Sequence, residues 1–168
     1  MVDYKAVIIM GSPSDRGFAD KIAGTLDELK VPYTMRIASA HRTPRRVLDI
    51  IEKEEVGSDV VYITVAGRSN ALSGMVDAQT SYPVIACPPY SSDFGGADVY
   101  SSLRTPGGVA PLVVLEPGNA ALAAAKILGM MDDNISDNVM EYQRRARERV
   151  EQADEELQSE LMKKWLAI

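Results

Sequence analysis

The fold is indicated most clearly by one run of sequence, Val60-Val61-Tyr62-Ile63-Thr64-Val65-Ala66. Apolar side chains fill it almost without interruption, a pattern typical of a strand that is covered by helices on both faces. Four further runs rich in β-forming residues occupy positions 6–10, 33–39, 83–87 and 112–115. The runs at 6–10, 60–66, 83–87 and 112–115 are nearly continuous in apolar residues, so we expect these four strands to be covered on both faces. The run at 33–39 does not share this pattern.

Helical patterns lie between these runs. Residues 15–30 place four apolar side chains on one helical face, and residues 43–55 repeat the pattern. The apolar positions are Phe18, Ile22, Leu26 and Leu29 in the first segment and Val47, Leu48 and Ile51 in the second. Strands that alternate with helices pair in parallel through right-handed crossovers, which predicts an α/β fold, a three-layer αβα sandwich. In such sheets ligands bind beyond the carboxyl ends of the strands.

The C-terminal segment has a different pattern. Residues 130–168 contain no Pro or Gly, and from residue 133 to about 166 apolar side chains recur at steps of three or four. This predicts one amphipathic helix about 45 Å long, whereas a domain of this size is only about 40 Å across. The helix either folds back across its own subunit or lies against a neighbour, and the second alternative is favoured. We expect a single domain over residues 1–168, with an α/β core at 1–130 and an oligomerisation helix at 133–166.

Composition narrows the possible functions. The 168 residues are 46% hydrophobic and 25% charged with a net charge of −6, as in a soluble globular protein without a clustered basic face for nucleic acid. No apolar run approaches the ~18 residues of a membrane span, and the N-terminal stretch indicates a buried strand rather than a secretion signal. The lone Cys87 excludes intramolecular disulfides and Cys-based zinc sites and suits the cytoplasm. The lone His41 excludes any mechanism that needs two imidazoles.

Polar residues follow the first run. Gly11 permits a tight turn, and the hydroxyls of Ser12 and Ser14 lie beside the free N–H groups at a helix start, which favours a phosphate site. Asp15 would repel a phosphate, so we expect it to cap the helix or to hold a sugar diol. The alternative that these side chains only cap the helix remains open.

The second and third runs end in further candidates. His41 is the side chain that changes charge near neutral pH, and Arg42 suits bidentate binding of a phosphate. A purely structural histidine is the alternative. Arg68 follows a very apolar strand and should emerge at the mouth of a pocket, unless it lies in a solvated turn. Cys87 could pair with His41 as a nucleophile, but a buried strand cysteine is usually a small hydrophobe.

These motifs together resemble a known family. Gly-Ser-x-Ser-Asp at 11–15, Ser-Ala-His-Arg-Thr-Pro at 39–44 and the Ala-Gly loop at 66–74 are similar to the aminoimidazole ribonucleotide carboxylase and N5-carboxyaminoimidazole ribonucleotide mutase family of purine biosynthesis. The resemblance extends from Val7 through the C-terminal helix. The third loop is short and lacks histidine, which resembles the class II carboxylases, as does the stretch at 100–104. The class I mutase is the alternative, and a non-catalytic, flavodoxin-like nucleotide-binding module is a further one.

The resemblance implies a flavodoxin-like parallel sheet and a mechanism without metal, biotin or ATP. Aminoimidazole ribonucleotide would place its phosphate on Ser12, Ser14 and Arg42 and its ribose on Asp15. Its C4 would attack CO2 while His41 takes the C4 proton. The imidazole ring would reach toward His41 and the loop from Arg68 to Ser73. Backbone N–H groups near Ser39, Ala40, Ser69, Asn70 and Ala71, together with Arg68, would hold CO2 and the carboxylate. Family members are homo-oligomers, so we expect an octamer, or else a tetramer, with sites at subunit contacts.

Overall fold

A computed structural model describes residues 4–166 of the chain. The strands are β1 (Tyr4–Met10), β2 (Tyr33–Ile37), β3 (Asp59–Val65), β4 (Val84–Ala86) and β5 (Leu112–Val113). The helices are α1 (Arg16–Glu28), α2 (Pro44–Glu54), α3 (Ala71–Asp77), α4 (Tyr100–Leu103), α5 (Pro117–Leu128) and α6 (Asp133–Leu166). Short 3-10 turns occur at Pro13–Asp15, Ser92–Phe94 and Ala97–Val99. Residues 1–3 and 167–168, which belong to the predicted single domain, lie outside the described residues.

The sheet confirms the predicted fold. Within the described residues its strands are all parallel, in the order β2-β1-β3-β4-β5, which is the flavodoxin-like order. One layer of helices, formed by α1, α5 and the start of α6, covers one face, and α2 and α3 cover the other. Met10 pairs with Ile37 on one side and with Val65 on the other, so β1, β2 and β3 end at the same level. Their three following loops therefore meet.

Burial on both faces is confirmed for the central strands. Ile8 and Met10 pack with the α1–α5 layer, whereas Val7 and Ile9 pack with the α2–α3 layer. The same expectation is wrong for the fifth strand. It contains two residues at the edge of the sheet, and Leu112 is 51% exposed. A strand at the edge has a neighbour on one side only, so an apolar run there does not guarantee burial.

Several boundaries differ from the sequence prediction. The second strand ends at Ile37 rather than at residue 39, and α1 begins after a 3-10 turn. The helix expected at 120–128 begins earlier, at Pro117, because the Glu116 side chain accepts a hydrogen bond from the Asn119 N–H and caps it. The sequence predicts a loop over residues 66–74, whereas in the structure helix α3 begins within this stretch, at Ala71. The Asn70 side chain caps it, and Leu72 and Val76 bury its apolar face.

Helix α6 has 34 residues and is about 51 Å long. Ile135 and Val139 are buried against α5 and the sheet, but every described residue from 149 onward is exposed. The alternative in which the helix folds back across its own subunit is therefore wrong. Its exposed end carries a C-terminal stripe of four apolar side chains: Val150, Leu157, Leu161 and Trp165. At 100° per residue these positions lie within about 80° of one another around the helix axis.

A buried carboxylate connects α2 to the sheet. Glu54 is 6% exposed, and its oxygens lie 2.7 Å from Lys5 Nζ and 2.8 Å from Arg36 Nη1. The Thr34 hydroxyl donates to it over 3.2 Å. Burial by itself would raise the pKa of Glu54, but the contacts with Lys5, Thr34 and Arg36 outweigh it, so its pKa lies below the ordinary value.

Among residues 4–166, we find no helix whose length and hydropathy would let it span a bilayer.

Candidate functional site

A cavity of about 390 Å³ lies at the carboxyl ends of β1, β2 and β3. This is the edge at which a parallel sheet of this order binds its ligands. The three loops that follow these strands supply the walls. The lining residues are Gly11, Ser12, Asp15, Ser39, Ala40, His41, Arg42, Ala66, Gly67, Arg68, Ser69, Ala71 and Leu72. Nine of the twelve predicted site residues are therefore brought together, while Ser14, Asn70 and Ser73 are not among the lining residues.

The first loop is held close to the third. The Gly11 N–H donates to the Val65 carbonyl oxygen over 2.8 Å, and a β-carbon on Gly11 would lie 3.3 Å from the Ala66 β-carbon. Glycine therefore allows the two loops to approach. The Ser14 hydroxyl donates to Ser12 Oγ over 2.8 Å, so the two hydroxyls are adjacent although Ser14 itself is exposed.

Asp15 faces the cavity. It stands at the N-cap position of α1, but its side chain makes no capping hydrogen bond, so the expectation that it caps the helix is wrong. Burial raises the pKa of the Asp15 carboxyl, while a backbone group of Ser12 and the positive charge of Arg42 act in the opposite direction. The Asp15 carboxylate has several acceptor sites, so it can accept hydrogen bonds from a ligand in addition to the contact with the Ser12 backbone.

The second loop presents His41 and Arg42. Its turn is fixed by Thr43, whose N–H donates to the Ser39 carbonyl oxygen over 2.8 Å and whose hydroxyl oxygen accepts the Ser39 N–H over 2.9 Å. The Arg42 side chain reaches across to the first loop, where Nη2 donates to the Gly11 carbonyl oxygen over 3.3 Å. Arg42 therefore reaches the residue next to Ser12, and both line the cavity together with the exposed His41.

The third loop has an unusual backbone. Arg68 adopts a φ of 58°, in the left-handed region that residues other than Gly seldom occupy. Arg68 is one of the residues that line the cavity, and its exposed guanidinium has Nη2 at 3.7 Å from the exposed Asp93 carboxylate. Such an exposed pair contributes little to stability, so the guanidinium can exchange Asp93 for an anionic ligand.

Asn70 and Ser73 are buried within the protein. The Asn70 side-chain oxygen accepts the Ser73 N–H over 3.2 Å, which makes Asn70 the cap of α3. Sequence reasoning did not include Gly11, Ala66, Gly67 and Leu72 in the site. Gly11 and Gly67 lie just after strands β1 and β3, and a glycine at a strand end is a sequence signal that could have identified both. Leu72 could not be identified in this way, because an apolar residue in an apparent loop carries no chemical signal.

Cys87 takes no part in this cavity. It is fully buried at the end of β4, and burial together with the nearby Glu116 raises the pKa of its thiol to about 12. A thiol with such a pKa is a poor nucleophile, which agrees with the prediction of a small hydrophobe. Within the described part of the chain, no group of three or more His, Cys, Asp or Glu side chains is arranged to hold a metal ion.

The chain is similar to known proteins over most of its length. The family model described as "AIRC: AIR carboxylase" matches residues 5–149. The chain is 58% identical to a phosphoribosylaminoimidazole carboxylase of Archaeoglobus fulgidus over 91% of this chain and 84% of that protein. It is 47% identical to a phosphoribosylaminoimidazole carboxylase of Treponema denticola over 90% of this chain and 96% of that protein. The crystal structure of Treponema denticola PurE covers 92% of this chain and 98% of its own, with a TM-score of 0.89 and 46% identity.

Proposed function

The chain belongs to the AIR carboxylase family, and from this premise we propose that it adds CO2 to C4 of 5-aminoimidazole ribonucleotide. The product is 4-carboxy-5-aminoimidazole ribonucleotide, the reaction needs no ATP, and the reverse reaction makes the protein a carboxy-lyase of purine biosynthesis. One observation carries the proposal. His41, Arg42, Ser12, Asp15 and Arg68 come from three separate strand ends and line one cavity. Its volume of about 390 Å³ lies within the range of small-molecule sites.

The nucleotide is anchored by the first loop and Arg42. A phosphate placed against the Ser12 hydroxyl receives the Arg42 guanidinium, which suits the planar, bidentate geometry of that group. Ser14 contributes through its hydroxyl, which lies 2.8 Å from Ser12 Oγ and can turn toward the same phosphate. The Asp15 carboxylate, which makes no capping hydrogen bond to α1, accepts hydrogen bonds from the ribose hydroxyls. The imidazole ring then extends toward His41 and the third loop.

The carboxylation step requires a new carbon–carbon bond and the loss of one proton. The electron-rich C4 attacks the carbon of CO2, and one C–O π bond opens to give a carboxylate. His41 takes the proton that leaves C4, which restores the aromatic ring. In the reverse direction the imidazolium returns this proton to C4 as CO2 departs. His41 is exposed, so it can exchange the proton with solvent between turnovers.

The CO2 and the developing carboxylate lie against the second and third loops. This part of the cavity is lined by Ser39, Ala40, Arg68, Ser69 and Ala71. The backbone N–H groups of Ala40 and Ser69 and the Arg68 guanidinium are the donors for CO2, because the Ser39 and Ala71 N–H groups already donate to Thr43 Oγ1 and the Ser69 carbonyl oxygen. Such fixed donors stabilise charge as it develops. CO2 is neutral and binds weakly, so holding it next to C4 provides much of the rate enhancement. Asn70 and Ser73 contribute to this site through the position of α3, because Asn70 caps the helix by accepting the Ser73 N–H.

The protein acts as a homo-oligomer in the cytoplasm. The C-terminal stripe is exposed in the single chain, and burial against a neighbouring copy removes this apolar surface from water. An octamer is the expected assembly and a tetramer the alternative, with a neighbouring copy completing the cavity. The lone Cys87 suits a reducing compartment, and the net charge of −6 argues against a nucleic-acid partner.

The test is a carboxylation assay with the purified full-length chain. Aminoimidazole ribonucleotide and ¹³C-labelled bicarbonate should give a product that carries the label on C4, with no ATP present. His41→Asn should retain nucleotide binding and lose most turnover. Faster turnover of N5-carboxyaminoimidazole ribonucleotide than of aminoimidazole ribonucleotide with CO2 would instead make the protein a class I mutase. Binding of the nucleotide without any turnover would indicate a nucleotide-binding module.

A further inference from the structure

We propose that Asp98 and Ser101 are positioning residues that hold the third loop, residues 66–71, in the shape required for carboxylation. The proposal rests on the function proposed above. Neither residue lines the cavity at the strand ends, and neither is among the predicted site residues, although Ser101 lies in the stretch 100–104 that resembles the class II carboxylases. Both come from the segment Ala97–Leu103, about 30 positions further along the chain.

Both polar groups of the Arg68 peptide backbone are held by this segment. The Arg68 N–H donates to a carboxylate oxygen of Asp98 over 3.1 Å. Ser101 Oγ lies 2.9 Å from the Arg68 carbonyl oxygen and 2.7 Å from the Asp98 carbonyl oxygen, so its single proton is shared between these two acceptors. Arg68 has a left-handed backbone that a residue with a β-carbon avoids in the absence of external support. The two hydrogen bonds supply that support, because they fix the peptide on either side of its α-carbon.

The hydrogen bonds continue to the start of α3. Ser101 Oγ also accepts the Asn70 N–H over 3.0 Å, and the Asn70 side-chain amide donates to Ser102 Oγ over 2.9 Å. Asn70 and Ser102 are both buried, so water cannot easily replace these partners. Arg68 and Asn70, on either side of Ser69, are thus both held by one short segment.

Asp98 and Ser101 are not among the residues that line the proposed substrate site. They line a second cavity of about 520 Å³ with Phe94 and Ala97, and the two cavities share Arg68 and Ser69. Their influence on the reaction therefore acts through the backbone of residues 68–70. That backbone carries the Ser69 N–H and the Arg68 side chain, both proposed to hold CO2, and a shift of about 1 Å in such groups lowers rates by about 100-fold.

Paired substitutions separate positioning from general stability. Asp98→Ala removes the acceptor, whereas Asp98→Asn keeps a side-chain oxygen that can accept the Arg68 N–H. Ser101→Ala removes the hydroxyl, whereas Ser101→Thr keeps it. Asp77→Ala is the matched control, because the Asp77 carboxylate accepts the Ala110 N–H over 2.7 Å in a loop away from the cavity.

We expect the two alanine variants at 98 and 101 to lower kcat by about 10- to 100-fold. The KM for the nucleotide should stay within about twofold, since the first and second loops hold its phosphate and ribose. Asp98→Asn and Ser101→Thr should restore most of the lost kcat, and Asp77→Ala should leave it within about twofold. An unchanged kcat in Asp98→Ala would overturn the proposal, as would an Asn variant as impaired as the Ala variant.

Hydrogen exchange without substrate provides a readout that does not depend on the reaction. The backbone N–H groups of Arg68 and Asn70 should exchange faster in Asp98→Ala and Ser101→Ala than in the wild type or in Asp77→Ala. Faster exchange in a protein that shows no carboxylation would support the contacts and refute the proposed function. Unchanged exchange in both alanine variants would refute the contacts. Circular dichroism confirms that each variant is folded, and the Asn and Thr variants remain informative if an Ala variant is not.

Discussion

The C-terminal stripe allows a sharp test of assembly. We predict that the double substitution Leu157→Glu and Leu161→Glu weakens self-association and leaves the fold of the single chain intact. Neither side chain is buried in the chain, and Glu forms helices nearly as well as Leu. Ser159→Glu is the matched control, because residue 159 lies on the opposite side of the helix from Val150, at 180° around its axis.

The exposed fractions of the four side chains in the C-terminal stripe give the size of the expected loss in association free energy. Val150, Leu157, Leu161 and Trp165 are 71%, 51%, 41% and 74% exposed, which together equals a little over two fully exposed apolar side chains. Complete burial against a neighbour would contribute about 4–7 kcal/mol per chain. Leu157 and Leu161 account for about 1.5–3 kcal/mol of this, so their replacement should weaken association by at least about tenfold. A buried glutamate adds a desolvation cost to this loss.

Sedimentation velocity over a range of protein concentrations measures the effect. The double variant should dissociate at concentrations at which the wild type and Ser159→Glu remain assembled, with circular dichroism unchanged. Carboxylation should fall together with dissociation if a neighbouring copy completes the cavity. A double variant that sediments like the wild type would refute the assignment of this stripe to the subunit interface.

Three further outcomes test the site and its support. His41→Asn should lower kcat by about 10²- to 10⁴-fold and leave nucleotide affinity nearly unchanged in calorimetric titration, because His41 transfers the proton without anchoring the phosphate. Asp15→Asn should raise the thermal stability of the ligand-free protein near neutral pH, since the raised pKa of Asp15 means that ionisation there costs folding energy, and should weaken nucleotide binding. Glu54→Ala should cost about 3 kcal/mol in urea unfolding at pH 7, whereas Glu52→Ala on the exposed side of the same helix should cost little. Folding lowers the pKa of Glu54, so the ionised carboxylate stabilises the folded chain. The loss of unfolding free energy in Glu54→Ala should therefore be complete above the pKa of Glu54 in the unfolded chain, about 4.3, and should diminish as pH falls through its pKa in the folded chain.

The sequence predicted the central architecture because burial on two faces leaves a clear pattern. The run ending at Ala66 could only be a covered strand, and the helices around it were amphipathic. Helix α3 escaped prediction because it is seven residues long and contains Ser73 and Gly74, which are typical of loops. The length of β5 was overestimated since its apolar residues resemble a core strand but lie at the sheet edge.

The candidate site was predictable in part for a similar reason. Residues that directly follow strands, such as His41 and Arg42, are placed by the rule that parallel strands end at one edge. The support behind the third loop was not predictable. The left-handed backbone of Arg68 has no signal in the residue type, and Asp98 reaches it from 30 positions away through a contact that only the folded chain creates.

The two-residue length of β5 limits the ways in which copies of this chain can join. Pro111 precedes it and lacks an N–H, so the outer side of the sheet offers few backbone groups to an incoming strand. Growth of the sheet from chain to chain, the route to fibrils, is therefore discouraged at this end. An engineered lengthening of β5, with Pro111 replaced by a β-branched residue, would remove that protection and invite aggregation.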